Sequence, residues 1–209
     1  MTANLIVDID GTLIDSNYQH VIAWQRAFLE HDVQAEAWTL HRYIGKGGDQ
    51  LVESAAGPEV ESSHGDSIRK AESGFFQELI EEVRPFDGAS SFLRECAREG
   101  AEIILASSAK AEEVDHYLDL LDVDGIISGH TSSADVDTTK PSPDLIEAAL
   151  SKVDSRDALM IGDSIWDIEA ASRARLRSLA VLTGGFSKKE LEAAGALEVQ
   201  PHLKDLQQL

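Results

Sequence analysis

Residues 4–16 constrain the fold more strongly than any other stretch of this 209-residue chain. Residues 4–7 have the apolar bias of a short buried strand, and two acids, Asp8 and Asp10, follow at once. In an extended backbone, residues two apart point the same way, so both carboxylates lean toward one point at the strand's carboxyl end. Two carboxylates that close repel each other unless a cation or a proton lies between them. We therefore expect either a cation-binding strand end or a strand that runs into a solvated acidic turn.

Beyond about residue 85, apolar strands alternate with helices. Strands are predicted at residues 101–106, 125–128, 158–162 and 178–182. Helices are predicted at residues 89–99, 111–121, 141–152, 165–176 and 187–194, and in the tail at 201–209. Apolar strands separated by helices form parallel sheets that are covered on both faces. The sequence therefore predicts an α/β protein with a Rossmann-like parallel sheet.

Residues 16–84 carry helical patterns and no strand pattern. Such a connection is long for a crossover inside one sheet, because most connections between elements are short. We therefore predict a small all-helical domain inserted into an α/β core, with the core formed by residues 1–15 and 85–209. The hinges of the insertion are expected near Asp15-Ser16 and Arg84-Pro85.

Composition excludes several classes of partner. The formal net charge of −20 argues against binding to nucleic acid or anionic membranes, which need basic surface. No apolar run approaches the ~20 residues that cross a bilayer, and the first residues lack the basic and apolar regions of a signal peptide. The single cysteine, Cys96, rules out an internal disulfide and suits a reducing compartment. We therefore expect a cytoplasmic protein, either a monomer or a homodimer.

Polar residues follow several predicted strands at the point where each strand ends. Ser107 and Ser108 follow one strand, Lys140 opens a helix, and Asp163 and Asp167 follow another strand. Each has an ordinary structural explanation by itself, as a helix cap, an exposed turn residue or a first-turn acid. Ligands of open parallel sheets, however, bind beyond the carboxyl ends of the strands. The same residues are therefore also candidates for one binding site.

The string D-x-D-G-T-L-x-D-S at residues 8–16 resembles the first motif of the haloacid dehalogenase superfamily of aspartate-nucleophile phosphohydrolases. Ser107, Lys140 and Asp163 follow in the chain order of the other three motifs, so the resemblance covers nearly the whole core. The helical insertion is similar in position to the C1-type cap of phosphoglycolate phosphatases and β-phosphoglucomutases. Thr139 departs from the pattern, because glycine is common before the motif lysine.

The resemblance implies roles for the acidic residues. Asp8 is the implied nucleophile, which takes the phosphoryl group as an aspartyl-phosphate. Asp10 is the implied general acid and base, and its presence favours phosphate-ester chemistry over dehalogenation. Mg²⁺ is the implied cofactor, held by the side chains of Asp8 and Asp163 and the backbone carbonyl of Asp10. Asp167 is expected to support the metal shell directly or through water.

The resemblance also implies how substrate is held. Thr12, Ser107 and Lys140 are the implied ligands of the phosphoryl oxygens. Lys46 lies in the predicted insertion and is expected to contact the leaving group of a small phosphorylated metabolite, together with Arg42 or Gln50. The alternative for Lys46 is a solvated loop charge.

Three functions remain open on the sequence. The leading one is a Mg²⁺-dependent phosphatase. The second is a phosphomutase of the β-phosphoglucomutase type, which returns the phosphoryl group to a sugar. The third is a non-catalytic phosphoacceptor module, because receiver domains also gather acids, a hydroxyl and a lysine at the ends of a sheet.

Overall fold

The computed structural model describes residues 3–153 and 155–207. Eight strands are assigned in this part of the chain: β1 Asn4–Val7, β2 Ile14–Asp15, β3 Arg84–Pro85, β4 Ile103–Ala106, β5 Gly129–Thr131, β6 Ala158–Gly162, β7 Arg177–Val181 and β8 Glu198–Gln200. The α-helices of the same residues are α1 Asn17–Glu30, α2 Ala37–His41, α3 Gly48–Ala56, α4 Pro58–Leu79, α5 Ala89–Arg98, α6 Ala111–Leu121, α7 Asp144–Leu150, α8 Ile165–Arg173 and α9 Lys188–Ala194.

Six strands form one parallel sheet in the order β5-β4-β1-β6-β7-β8. All four residues of β1 are buried, because helices cover both faces of the sheet. Alternate residues of β1 join different apolar clusters: Leu5 and Val7 belong to one, and Ile6 belongs to the other. The predicted Rossmann-like α/β fold is confirmed.

The register of the central strands brings their carboxyl ends together. Val7 pairs with Leu105 of β4 and with Ile161 of β6. The residues that follow β1, β4 and β6 therefore lie side by side at one edge of the sheet. This edge holds Asp8, Ser107 and Asp163.

Helices α1–α4 pack around an apolar cluster of their own, which includes Trp24, Phe28, Leu40, Leu51 and Ile68. The two-stranded antiparallel pair β2–β3 joins the two ends of this helical segment to the core. We call residues 16–84 the helical insertion. None of the helices in the described ranges has both the length and the apolarity needed to cross a membrane.

Several predicted boundaries were wrong. Residues 125–128, predicted as a strand, form a turn in which Gly125 adopts a φ of +69°, and β5 starts only at Gly129. Helix α7 starts at Asp144 rather than at residue 141, because the preceding residues form a turn in which the Ser142 N–H donates to the carbonyl of Thr139 at 2.9 Å. The predicted tail helix is a single 3₁₀ turn at Leu203–Asp205, and residues 208–209 of that prediction lie outside the described residues. Strand β8 was not predicted.

Candidate active site

A buried lysine lies among carboxylates at the carboxyl edge of the sheet. Lys140 is fully buried, and its Nζ contacts Asp8 Oδ1 and lies 2.7 Å from Asp167 Oδ1. It also donates a hydrogen bond of 3.0 Å to the carbonyl of Ala106, at the end of β4. Burying an ammonium group without a partner costs a large amount of folding free energy, so the two carboxylates are needed to stabilise Lys140 at this position.

Thr12 contacts the residues that follow both β1 and β6. Its Oγ1 lies 3.1 Å from Asp8 Oδ2 and 3.0 Å from Asp163 Oδ1. Asn17, the first residue of α1, donates from Nδ2 to Asp163 Oδ2 at 3.2 Å. Of the sequence-predicted residues, Thr12 and Lys140 therefore each contact Asp8, and Thr12 also contacts Asp163.

Asp167 is tied to its own helix as well as to the lysine. Its Oδ2 accepts hydrogen bonds from the backbone N–H of Ser164 at 3.1 Å and from the Ser164 hydroxyl at 2.6 Å. This capping box fixes the start of α8. Because Oδ2 is used by the cap, Oδ1 is the oxygen that faces Lys140.

The carboxylates outnumber the cation that accompanies them. Oxygens of Asp8, Asp163 and Asp167 lie within 4.8 Å of one another, and all three residues are buried. Burial raises the pKa of Asp8 to about 7 against the opposing charge of Lys140. Burial, with the charges of Asp167 and Asp8, also raises the pKa of Asp163 well above its usual range. Such a cluster favours either bound protons or a further cation.

The donor atoms suit a small hard cation. They are carboxylate oxygens, the ligands that Mg²⁺ prefers. Asn17 Oδ1 is buried nearby and has no hydrogen-bond partner within the described residues. A side chain at Gly184 would not fit, because its Cβ would lie 1.6 Å from Asp163 Oδ2. The residues present therefore fit a divalent metal at this position.

Asp10 belongs to a second cluster, on the side of the helical insertion. Its carboxylate accepts hydrogen bonds from Ser16 at 2.6 Å and from Ser107 at 3.2 Å. His20 of α1 places Nε2 3.4 Å from Asp10 Oδ1, while its Nδ1 lies 3.1 Å from Glu72 of α4. Phe76 stacks on the His20 ring at a centroid distance of 3.7 Å.

The electrostatics of this second cluster are those of an ion pair. Burial would raise the pKa of Asp10, but the hydrogen bond and charge of His20 outweigh it and lower that pKa to about 2. Burial would likewise lower the pKa of His20, but hydrogen bonds to Asp10 and Glu72 raise it to about 10. The Asp10–His20 pair therefore holds one proton near neutral pH, and it lies on the imidazole.

A cavity of about 270 Å³ lies between the sheet edge and the helical insertion. Asp8 and Asp10 line it together with His20, and Lys46 lines it from the insertion. The remaining lining residues are Trp24, Ile44, Gly45, Gly47, Gly48, Asp49, Arg69, Glu72, Ser108, Ala109, Lys110, Glu113, Ser133, Val136, Asp137 and Thr139.

Of the three residues predicted to contact a leaving group, the structure brings only Lys46 to the cavity. Lys46 Nζ bonds Ser54 Oγ at 2.8 Å and lies 4.1 Å from the centre of the Trp166 ring. Arg42 lies outside, because its guanidinium pairs with Glu190 of the core at 2.6 Å. Gln50 also lies outside, and donates to Asp49 at 3.2 Å.

Sequence reasoning missed His20 and Asn17. His20 lies three residues after Asn17 on the same face of α1. Two polar residues at that spacing, on a face that continues with Val21 and Trp24, were the available signal. Ser108, which the sequence offered with Ser107 as either a helix cap or a site residue, lines the cavity. Its buried Oγ lacks a hydrogen-bond partner in the described part of the chain.

The fold and these two clusters define an α/β protein with a parallel sheet and an acidic centre at the sheet's carboxyl edge. Comparison with known proteins gives the family. The family described as haloacid dehalogenase-like hydrolase matches residues 5–181. This chain belongs to that family.

The individual relatives share between 26% and 31% sequence identity with this chain. The chain is 27% identical over 177 residues to pyrophosphatase PpaX of Listeria monocytogenes, which covers 81% of this chain and 78% of the relative. It is 26% identical over 188 residues to phosphoglycolate phosphatase of Aquifex aeolicus, with 86% and 84% covered. A solved hydrolase from Pseudomonas syringae superposes with a TM-score of 0.90 at 31% identity, covering 98% of this chain and 95% of the other.

Proposed function

We propose that this protein is a Mg²⁺-dependent phosphatase that hydrolyses a small phosphorylated metabolite through an aspartyl-phosphate intermediate. The observation that carries the proposal is the position of Asp8, which lines the cavity while contacting Lys140 and lying beside Asp163. The names of the two curated relatives, a pyrophosphatase and a phosphoglycolate phosphatase, support the same class of reaction.

In the first step an oxygen of Asp8 attacks phosphorus, and the bond from phosphorus to the leaving oxygen breaks. The Asp10–His20 pair supplies the proton that the leaving alkoxide needs. In the second step water attacks the phosphorus of the aspartyl-phosphate, the bond to Asp8 breaks, and Asp10 takes the proton from that water. The pair then holds its proton again, so the cycle closes.

The phosphoryl oxygens would be held by the residues that surround Asp8. We propose Lys140, Thr12 and Ser107 as their ligands, since each already lies within a hydrogen bond of Asp8 or Asp10. Lys140 matters most, because it is the buried cation of the carboxylate cluster.

Mg²⁺ would be held by the side chains of Asp8 and Asp163 and by the carbonyl of Asp10. Asp167 would support the ion directly or through water, and its Oδ1 also pairs with Lys140. When bound, the ion would offset the charge of the carboxylates and allow an anionic phosphate to approach Asp8.

Metal-free protein is expected to lose stability as pH rises from about 4 to about 7. The pKa of Asp8 is raised to about 7 in the folded state, so its stabilising proton is fully present below the unfolded pKa and is lost through pH 7. Mg²⁺ should therefore raise Tm more at pH 8 than at pH 5. Thermal melts in EDTA and in Mg²⁺ at both values test this. An equal response at both pH values, or a full response in Asp163→Asn, would contradict the proposed metal site.

We propose that the helical insertion, residues 16–84, acts as a cap on a core formed by residues 1–15 and 85–209. Its opening would admit substrate, and its closure would exclude water from the cavity. Lys46 is the cap residue best placed to select the leaving group, because it lines the cavity. Arg42 and Gln50 would reach substrate only after their present contacts are exchanged.

The proton-transfer roles predict a dependence on the leaving group. Asp10→Ala and His20→Asn should each lower kcat/KM for an alkyl phosphate by about 100-fold, because an alkoxide needs a proton to leave. An aryl phosphate with an acidic phenol should lose less than about 10-fold, because it leaves without that proton. Initial rates with both substrates measure the ratio. Equal losses on the two substrates would show that neither residue transfers the proton.

A panel of phosphorylated metabolites, assayed for phosphate release with and without Mg²⁺, tests the function itself. Asp8→Asn serves as the blank. Mg²⁺-dependent release that vanishes in the blank supports the proposal. Isomerisation of a sugar phosphate without phosphate release would favour the phosphomutase, and a stable acyl-phosphate without turnover would favour the phosphoacceptor module.

A further inference from the structure

One acid of the helical insertion contacts the loop that carries Lys140. Asp49, in the first turn of α3, accepts a hydrogen bond at Oδ2 from the backbone N–H of Thr139 at 3.1 Å. Its Oδ1 accepts a second hydrogen bond from the Thr139 hydroxyl. Both donors serve one charged acceptor, which makes this a strong type of hydrogen bond. We refer to the pair as the Asp49–Thr139 contact.

The backbone of the insertion at Gly47 also lies close to Thr139, as the side chain of Asp49 does. A Cβ at Gly47 would lie 2.0 Å from Thr139 Oγ1 and 2.7 Å from Asp49 Oδ1. Gly47 therefore leaves the space that the contact needs. Thr139 is only 5% exposed, so the loop is enclosed where the insertion meets it.

The side chain of Thr139 contributes to this contact as well as its backbone. Its hydroxyl supplies one of the two hydrogen bonds to Asp49. Thr139 and the acid that it binds come from opposite sides of the cavity, and both line it.

The residue after Thr139 is the lysine of the carboxylate cluster. Other contacts between insertion and core lie elsewhere: His41 Nε2 lies 2.9 Å from the carbonyl of Gly184, and Trp166 Nε1 donates to the carbonyl of Arg42 at 3.1 Å. The Asp49–Thr139 contact, by comparison, acts on the backbone that places Lys140 Nζ against Asp8.

We propose that Asp49 is a positioning residue whose docking on Thr139 couples closure of the helical insertion to the placement of Lys140 at Asp8. The kinetic part of this inference rests on the proposed phosphatase function. The structural part does not, because the backbone N–H of Thr139 reports the contact directly.

Amide hydrogen exchange of Thr139, measured by NMR in the full chain with Mg²⁺, tests the contact. Asp49→Ala should speed this exchange by about 10-fold or more, since a hydrogen bond to a charged acceptor is lost. Glu53→Ala removes the same charge from an exposed position one turn along α3 and should leave the exchange unchanged. Unchanged exchange in Asp49→Ala, or an equal effect in Glu53→Ala, would overturn the inference.

Kinetics with an aryl phosphate test the coupling. Asp49→Ala and Thr139→Val should each lower kcat by about 10-fold with little change in Tm, and the double variant should be no slower than either single one. Thr139→Ser keeps the hydroxyl and should restore the rate. Additive losses, no losses, or failure of the serine variant to restore the rate would overturn the coupling. If Asp8→Asn still released phosphate, the proposed function would fail instead, and the exchange measurement would decide the contact alone.

Discussion

Asp8→Asn is expected to lower phosphate release by about 10⁴-fold or more, the largest effect of any single substitution in this chain. The carboxylate is the proposed nucleophile, and loss of a nucleophile removes a whole covalent pathway rather than one stabilising contact. The neutral amide also relieves repulsion from Asp163 and Asp167, so the folded protein should be at least as stable as the parent. Phosphate release and thermal melts on the same preparations measure both effects.

Asp87→Asn is the matched control for this change. It removes the same charge from an exposed carboxylate on the loop after β3, which lies 3.8 Å from Lys204. We expect it to keep the parent rate within about twofold, because surface ion pairs contribute little. Substantial phosphate release by Asp8→Asn, or a comparable loss in Asp87→Asn, would remove the case for Asp8 as nucleophile.

Lys140→Met is expected to lower kcat/KM by about 10²–10³-fold, the loss typical of removing one preorganised donor to a developing charge. It should also destabilise the metal-free protein by about 3 kcal/mol at pH 8, because Asp8 and Asp167 would be left buried without their cation. Urea unfolding in EDTA and initial rates in Mg²⁺ give the two numbers.

The pH dependence separates this effect from simple loss of packing. The raised pKa of Lys140 keeps it charged at both pH 5 and pH 8, so its own contribution is constant over that range. Lys140 lowers the pKa of Asp8, so in Lys140→Met that pKa rises further in the folded state. The variant therefore loses more stability than the parent as pH rises from 5 to 8, and the destabilisation should grow with pH. Lys204→Met, at an exposed lysine, should show no such growth. A loss that is independent of pH would mean that Lys140 acts through packing alone.

The carboxylate cluster was predictable because its residues follow strands. A buried strand followed by Asp8 and Asp10, and later strand ends carrying Ser107 and Asp163, must meet once the sheet is parallel. The register of β1 with β4 and β6 brings about that meeting. Local sequence therefore carried most of the information about the fold and the centre of the site.

The contacts between the helical insertion and the core could not be predicted from the sequence, because they depend on how the two parts pack together. His20 reaches Asp10 only because α1 is oriented by β2–β3 and by contacts with α4. Arg42 is drawn to Glu190, which lies 148 residues away in the chain. The strand expected at residues 125–128 had suitable apolar residues, but Ile126 and Ile127 pack against the core from a turn. No local pattern contains such long-range contacts.

The most direct measurement is the identity of the residue that carries the phosphoryl group during turnover. Substrate and Mg²⁺ are mixed with the enzyme, the reaction is stopped with acid within one turnover, and the peptide containing residues 1–26 is fragmented in a mass spectrometer. We expect one hydroxylamine-labile phosphoryl group on Asp8 and none in Asp8→Asn. Full turnover with no phosphoryl group on Asp8, or with the group on another residue, would contradict the proposed mechanism.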